Sequence, residues 1–579
     1  MFVPAATDRQ SWEAADEPTL RLLSERARAA LGAPWPNPLA RDFARYFRDG
    51  DRDTYEQAVW ERHQRLARAV TLAAATLDPV WIDEVADGVV LFCEQSTWCW
   101  PAHDDTLTRH GSVLPAVTDP YVDLGAGEVA AELALIDHVL GAQLDERYPG
   151  LRARIRYEVD RRVLVPFIER RDWQWLGLDG HVHNWNPWIH SNILIATSLL
   201  VSSEERRRHL TDLVTEGIDR YAAAVPADGA IDEGYHYWWF GALRYLETLE
   251  RLGRDLDPEL IAFPHRVHLG GPWYLNHADG PARPSPHEPW HIVHRLARLA
   301  GVPEAEAHAA THRRPGEPVA TESHGLGHLL QAVLDRDWAA AAPGVSPLPR
   351  EVWFPSTQVL LARPAAGSAD GLTLAIKGGH NDENHNHNDV GSFVVACDGV
   401  PVLVDPGRPT YTAQTFGPRR YEIWTMRSTW HNTPSIRGSE QAAGRSFAAR
   451  DVNLFPDGMT LDLAGAYPRD DIRRWIRTAR LDRTTGTITI RDSWELAPGS
   501  GRTVLHLITA GPVTPADGGA DLGPVTVTWG DLPFSTTVRK LDDPMLTEVW
   551  GDHLTRLDID VTTLGPVGTL ELTVKEKQR

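Results

Sequence analysis

The chain has 579 residues, 42% hydrophobic and 24% charged, a globular balance that excludes a disordered polymer and allows two to four domains at ~150 residues each. Its formal net charge of −21 argues against nucleic acid as the main partner, because phosphate binding needs a basic footprint; an acidic substrate held by a local basic patch stays open. No apolar run approaches the ~20 residues of a membrane span, and three cysteines (Cys93, Cys99, Cys397) are too few for a disulfide framework or a cysteine-rich metal site.

The first 17 residues are polar and acidic, without the basic start, apolar core and cleavage site of a secretory signal, so the expected location is the cytoplasm. Apolar residues then recur at spacings of three and four over 21–31, 54–77, 126–140, 145–168, 187–201, 203–224, 236–252, 289–299 and 326–338, which predicts helix after helix. Stacked helical hairpins of this kind form a bundle, a solenoid or an α/α toroid; the lack of a fixed-length repeat speaks against the solenoid. The Pro/Gly/Ala-rich stretch 340–349 suits a boundary. Short β-branched or alternating runs follow at 358–362, 372–377, 392–397, 400–404, 485–491, 503–508, 525–529 and 568–574, with Asp398-Gly399 as a hairpin turn. The expected class is α+β, with a helical domain over 1–340 and an antiparallel sandwich over 350–579.

The densest chemistry is GGHNDENHNHND, 378–389. His385, His387 and Asp389 alternate, so an extended chain turns them to one face. Asp405 ends the next apolar run, and His431 lies in STWHNTP. Two imidazoles and a carboxylate are a reasonable set for Zn²⁺, although His- and Asn-rich loops are often only solvated turns. A flat hairpin at Asp398-Gly399 would set Ser392 opposite Asp405 and leave His387 about 17 Å away at ~3.4 Å per residue. A shared ion therefore requires the chain to fold back around Asn388 to Gly391, a bend that Gly391 permits.

In the helical half, HVHNWNPWIHSN sets Asn186 before Pro187, the pattern of an N-cap followed by proline at the first helical position. Asn184 then lies in the loop, two residues earlier and beside Trp185 and Trp188, a sugar-pocket arrangement if the indoles are not simply core. In DEGYHYWW, Asp232 or Glu233 starts a helix and Tyr235 and Tyr237 fall at its mouth. Either phenol can act as acid or base, with an unperturbed pKa of about 10, or pack a rim. WCWPAHDD adds His103 as a pocket candidate.

The stretch GGHNDENHNHNDVGSFVVACDGVPVLVDPG, continuing to RYEIWTMRSTWHNTPSIRGSEQ, resembles the heparinase II/III-like polysaccharide lyases closely over 378–441. WCWPAHD, NWNPW and DEGYHYW extend the resemblance loosely over 60–330. It implies an incomplete α/α toroid followed by an antiparallel β-sandwich, and β-elimination on a uronic-acid glycan. It also implies Zn²⁺ on His387, Asp405 and His431, with His385 and Tyr237 as catalytic acid–base residues and Tyr235 as the fallback. The carboxylate-neutralising asparagine falls on Asn184, because Asn186 carries the expected cap. No histidine directly follows Asn184, so its helper is open, with His183 and His190 as substitutes. Expected substrate contacts are Trp185, Trp188, Tyr235, Arg420, His103 and Glu383, with Arg419 or Arg408 able to replace Arg420. The expected partner is an acidic polysaccharide or oligosaccharide, attacked from its end if it is imported, with neither nucleic acid nor membrane. A glycoside hydrolase would need two carboxylates across a cleft, and Asp232, Glu233 and Asp104 show no paired motif. A non-catalytic saccharide-binding protein would have no use for His385 and Tyr237. A zinc peptidase lacks its His-Glu-x-x-His helix.

Overall fold

The structure, a computed structural model, describes residues 3–577. The chain divides into two compact units. The first holds the chain up to Val225, Trp239–Pro258 and Pro286–Gly344; the second holds Pro226–Trp238, Glu259–Ser285 and the chain from Val345 onward. Two stretches of the region read as helical thus pack with the sheets.

The first unit is built of helices, among them Glu17–Ala30, Asp53–Thr76, Pro79–Glu94, Leu124–Val139, Trp185–Leu200, Glu204–Ala224, Ala242–Leu252, Trp290–Ala300 and Leu326–Leu334. Asp16, Asp78, Asp123 and Ser203 cap four of them by accepting a first-turn N–H. Leu124–Val139 is buried almost all round, as befits an interior helix. It packs closely on Trp185–Leu200 at Gly127, where a Cβ would stand at an ordinary contact distance of 3.5 Å from Asn192 Cβ. The predicted helix 145–168 is broken into Gly141–Arg147, Leu151–Val159, a π turn at Asp160–Leu164 and Val165–Glu169. Gly150, at φ +98°, takes a conformation that other residues rarely adopt and stands at the N-cap of the second piece, after the first has ended at Tyr148. The helix predicted over 236–252 is likewise split into Tyr235–Trp238 and Ala242–Leu252. No helix among the described residues is long and apolar enough to cross a membrane.

The second unit carries three larger antiparallel sheets. Glu351–Phe354, Val359–Ala362, Leu372–Lys377, Phe393–Cys397 and Val400–Leu403 form a five-stranded meander. Asp398 and Gly399, at φ +50° and +78°, make the expected tight turn in it. An eight-stranded sheet runs in the order Arg450–Phe455, Gly458–Asp462, Ile472–Asp482, Thr487–Leu496, Val567–Glu576, Val525–Thr528, Gly519–Leu522, Val513–Ala516. A four-stranded sheet joins Phe534–Lys540, His553–Asp560, Val504–Thr509 and Pro434–Ser435. One apolar core runs through all three, with Trp475 stacked on Trp494 at 4.7 Å.

The two early stretches are bound to this unit by buried polar contacts. Fully buried Arg363 donates to the carbonyl of His268 at 2.9 Å, and Ser356 donates through N–H and Oγ to Asp228. Tyr235 stacks on Tyr274 at 4.2 Å, and Trp238 Nε1 donates to the Leu260 carbonyl. These packings bring Tyr237 and the turn at 276–280 to the segment that holds His385 and His387.

Candidate active site in the sheet unit

Strand Leu372–Lys377 ends and the chain leaves the sheet as GGHNDENHNHND, returning at Phe393. The fold-back required by the metal reading is present. The N–H of Asp389 donates to the His387 carbonyl, that of Ser392 to the Asp389 carbonyl, and Gly391 takes φ +79°. A Cβ at Gly391 would stand 2.4 Å from Leu463 Cδ2, so both the bend and the close packing require glycine. The result is a trio: one ligand atom from each of His387, Asp405 and His431 lies within 4.8 Å of the others, and all three side chains are buried.

The electrostatics of the trio suit a cation. His387 Nε2 bonds to Asp279 Oδ1 at 2.9 Å, and His431 Nδ1 bonds to Asp405 Oδ2 at 2.7 Å. The other ring nitrogens, His387 Nδ1 and His431 Nε2, are buried without a hydrogen-bond partner. Each imidazole thus has one nitrogen on a carboxylate and the other turned to no hydrogen-bond partner; for His387 that carboxylate, Asp279, lies outside the trio, as is usual for a metal-ligating histidine. Burial holds the His387 pKa below its ordinary value and so favours the neutral, ligating form. Burial pushes the Asp405 carboxyl up, but the charge and hydrogen bond of His431 outweigh it and hold it low. Two nitrogens and one oxygen in a closed setting fit Zn²⁺.

Beside the trio, Asp279 gathers a second cluster. Its fully buried carboxylate accepts from His385 Nδ1 at 3.0 Å, His387 Nε2 at 2.9 Å, Tyr411 Oη at 2.9 Å and Arg420 NH2 at 2.9 and 3.0 Å. Burial works against its charge, yet the bonds from His385 and His387 and the charge of Arg420 hold it well below the usual carboxylate range. His385 itself stands at φ +54°, a left-handed backbone that a non-glycine residue keeps only when its surroundings impose it. Its ring stacks on Tyr237 at 4.0 Å and 13°, and the Tyr237 and Tyr411 hydroxyls are hydrogen-bonded. Burial pushes the Tyr237 phenol well up, so it stays protonated at neutral pH. Arg408 lies over the Tyr411 ring, 3.8 Å from its centroid.

Several expected substrate contacts are placed otherwise. Arg420 uses its donors on Asp279 and on the carbonyls of Asn386 and Thr415, so it braces the site. Glu383 is buried on Lys377, because a carboxylate leaving water needs a counter-charge. Tyr235 is 2% exposed, held by its stacking on Tyr274. Asp232 accepts from the N–H and amide of Asn384.

In the helical unit, the helix of NWNPW begins at Trp185, so Asn184 holds the cap position, without a side-chain cap bond. Asn186 lies inside the first turn, and its buried amide donates to the Trp175 carbonyl at 3.1 Å. The capping role expected of Asn186 is thereby corrected: an orphan carbonyl in the core outcompetes the helix end. Trp188 is core, stacked on Phe240 at 4.8 Å. Trp185 is half-buried against His103, ring centroids 4.2 Å apart, and His103 bonds to Asp123 at 2.8 Å. His190 is fully buried, bonded to the Asn186 carbonyl and pressed against Gly217, where a Cβ would stand 2.1 Å from its ring.

Asp279, Tyr411 and Lys377 escaped the sequence reading. Asp279 sits in NHADG, which looks like any polar turn; its neighbour His277 was the sole local hint.

Residues 363–491 match the family model described as heparinase II/III-like, C-terminal. No curated protein matches the sequence. Among solved structures, a heparinase III is similar at TM-score 0.60 and 12% identity, over 98% of this chain and 93% of that one. Heparan sulfate lyase HepC from Pedobacter heparinus follows at 0.55 and 12%, over 97% and 88%. The Streptomyces coelicolor A3 chondroitin AC lyase in complex with chondroitin sulphate gives 0.52 and 12%, over 99% and 82%. The α+β class read from the sequence is borne out, and the chain is similar to the heparinase II/III-like polysaccharide lyases in its matched C-terminal segment and in its fold.

Proposed function

We propose that the protein is a polysaccharide lyase that cleaves a uronate-containing glycan by β-elimination. The observation that carries this reading is His385: its Nδ1 is held by the buried Asp279 carboxylate, which leaves Nε2 for a proton, and its ring stacks on the phenol of Tyr237. A carboxylate that orients an imidazole also stabilises the imidazolium formed when the base takes a proton.

The C5–H of a uronate is a weak acid while its carboxylate is charged, so elimination needs the carboxylate neutralised before the proton leaves. Arg408, on the Tyr411 face, supplies a cation for this, and takes the role first expected of Arg420. Asn184 in the helical unit is proposed as a further donor on the resemblance alone. Donors aimed at developing charge supply the largest share of such catalysis. His385 removes C5–H, Tyr237 protonates the leaving O4, and the C4–O bond breaks as the C4–C5 double bond forms. Where C5–H lies on the phenol's side, Tyr237 would serve as base as well: its own proton goes to the leaving O4 and the C5 proton replaces it on the phenol oxygen.

His387, Asp405 and His431 would hold Zn²⁺, whose charge would lock the segment that carries His385. The structural neighbours named as acting on heparan sulfate and chondroitin sulphate make glycosaminoglycans and simpler polyuronates the substrates to test. The test is a panel of such glycans followed by absorbance near the ultraviolet edge, where the conjugated double bond absorbs. New reducing ends without that absorbance would show a hydrolase, and binding without cleavage a saccharide-binding protein.

A further inference from the structure

The segment that carries His385 and His387 is bracketed by two carboxylates, Glu383 before the pair and Asp389 after it. Both meet one ammonium. Lys377 Nζ lies 2.6 Å from Glu383 Oε2 and 2.7 Å from Asp389 Oδ1, and all three side chains are buried. Lys377 is the last residue of strand Leu372–Lys377, where the segment leaves the sheet. Its own backbone also receives the returning end: its N–H donates to the Ser392 carbonyl, and the Gly391 N–H donates to its carbonyl. One residue therefore grips the outgoing side through Glu383 and the returning side through Asp389 and the backbone.

The strained position lies between the two grips. His385 holds φ +54° while its ring reaches Asp279 and Tyr237. Such a backbone persists only where the structure on both sides over-determines it. A buried ion triad is a poor source of net stability against apolar packing, and its better-attested use is to specify one arrangement.

We propose that Lys377 is a positioning residue: its ammonium clamps Glu383 and Asp389 and so sets the His385 imidazole against Asp279. The kinetic part of this rests on the lyase reading; the clamp itself does not.

The test compares Lys377→Met, Lys377→Arg and Glu383→Gln in the full chain. By analogy with partners that orient a site's ligands, Lys377→Met is expected to lower kcat by about 10–100-fold with KM nearly unchanged, and Lys377→Arg to recover part of it. Amide hydrogen exchange over 383–389 should rise in Lys377→Met, while strand Phe393–Cys397 keeps its protection. A folded Lys377→Met with parental exchange over 383–389 overturns the proposal, as does exchange that rises equally through the whole sheet. If Lys377→Met does not fold, Glu383→Gln reads the same clamp, since the amide keeps the shape and cannot ionise beside the ammonium: faster exchange over 383–389 supports it, unchanged exchange overturns it. If no glycan is cleaved even by the parent chain, the lyase reading falls and the exchange result still decides the clamp.

Discussion

Two buried carboxylates, one in each unit, serve different ends. Asp137 in the helical unit accepts from Arg152 and Arg156, whose own side chains are 25% and 49% exposed. It ties two helices together at a wet margin. Asp279 in the sheet unit is fully buried and accepts from two imidazoles, a phenol and a guanidinium drawn from three separate segments. Glu158, bridged to Arg154, Arg161 and Arg162, follows the first pattern. In the proposed reading the first pattern holds structure, and the second, by gathering groups able to exchange protons around one charge, organises chemistry.

Exchanging the two sites should separate these roles. The largest effect is expected from Asp279→Asn, which keeps the shape but leaves one oxygen acceptor for the two imidazoles and no charge to offset an imidazolium. Turnover should fall by about 10²–10⁴-fold, the usual worth of positioned acid–base catalysis, in steady-state assays of unsaturated product. Tyr237→Phe should lose a comparable factor while the melting curve stays unchanged; retained turnover would reject the acid assignment. His387→Ala should remove bound zinc by metal analysis and lower activity by about 10–100-fold, the range for loss of metal organisation. Asp137→Asn should leave turnover alone and cost about 1–3 kcal/mol in urea unfolding, the penalty for unmaking a buried hydrogen-bonded acceptor.

The last effect concerns pH. Burial pushes the pKa of His190 in the helical unit down to about 4, against ~6.5 in an unfolded chain. The unfolded state therefore binds the proton first, so this stability is full above pH ~6.5 and is lost as pH falls towards 4. His268 in the sheet unit, also pushed down to about 4 by burial, adds to the same slope. His190→Gln should flatten the decline of stability between these pH values without abolishing it.

Much of the architecture was legible in the sequence because it is locally encoded. Thr54 to Leu77 and Ala126 to Leu140 carry helical periodicity, and Asp53–Thr76 and Leu124–Val139 are helices. The runs at 372–377 and 400–404 and the turn at Asp398-Gly399 are strands and a hairpin for the same reason. Helix breaks were read less well: Gly150 and the split at 239–241 interrupt patterns that remain periodic on either side. Asn186 misled because its helix-start pattern is real, but its amide found a buried carbonyl instead.

What the sequence alone determined is therefore the order of helices and strands, the turn residues, and the side chains able to ligate or move protons at His385, His387, Asp405 and His431. Those follow from sterics and hydrophobic period between near neighbours in the chain. Only the tertiary structure brought Asp279 to His385 across 106 residues and Tyr411 to Tyr237 across 174, turned Arg420 inward, and placed Lys377 between two carboxylates. Contacts at such separations are set by how whole sheets and turns pack, and no local spacing in the chain records them.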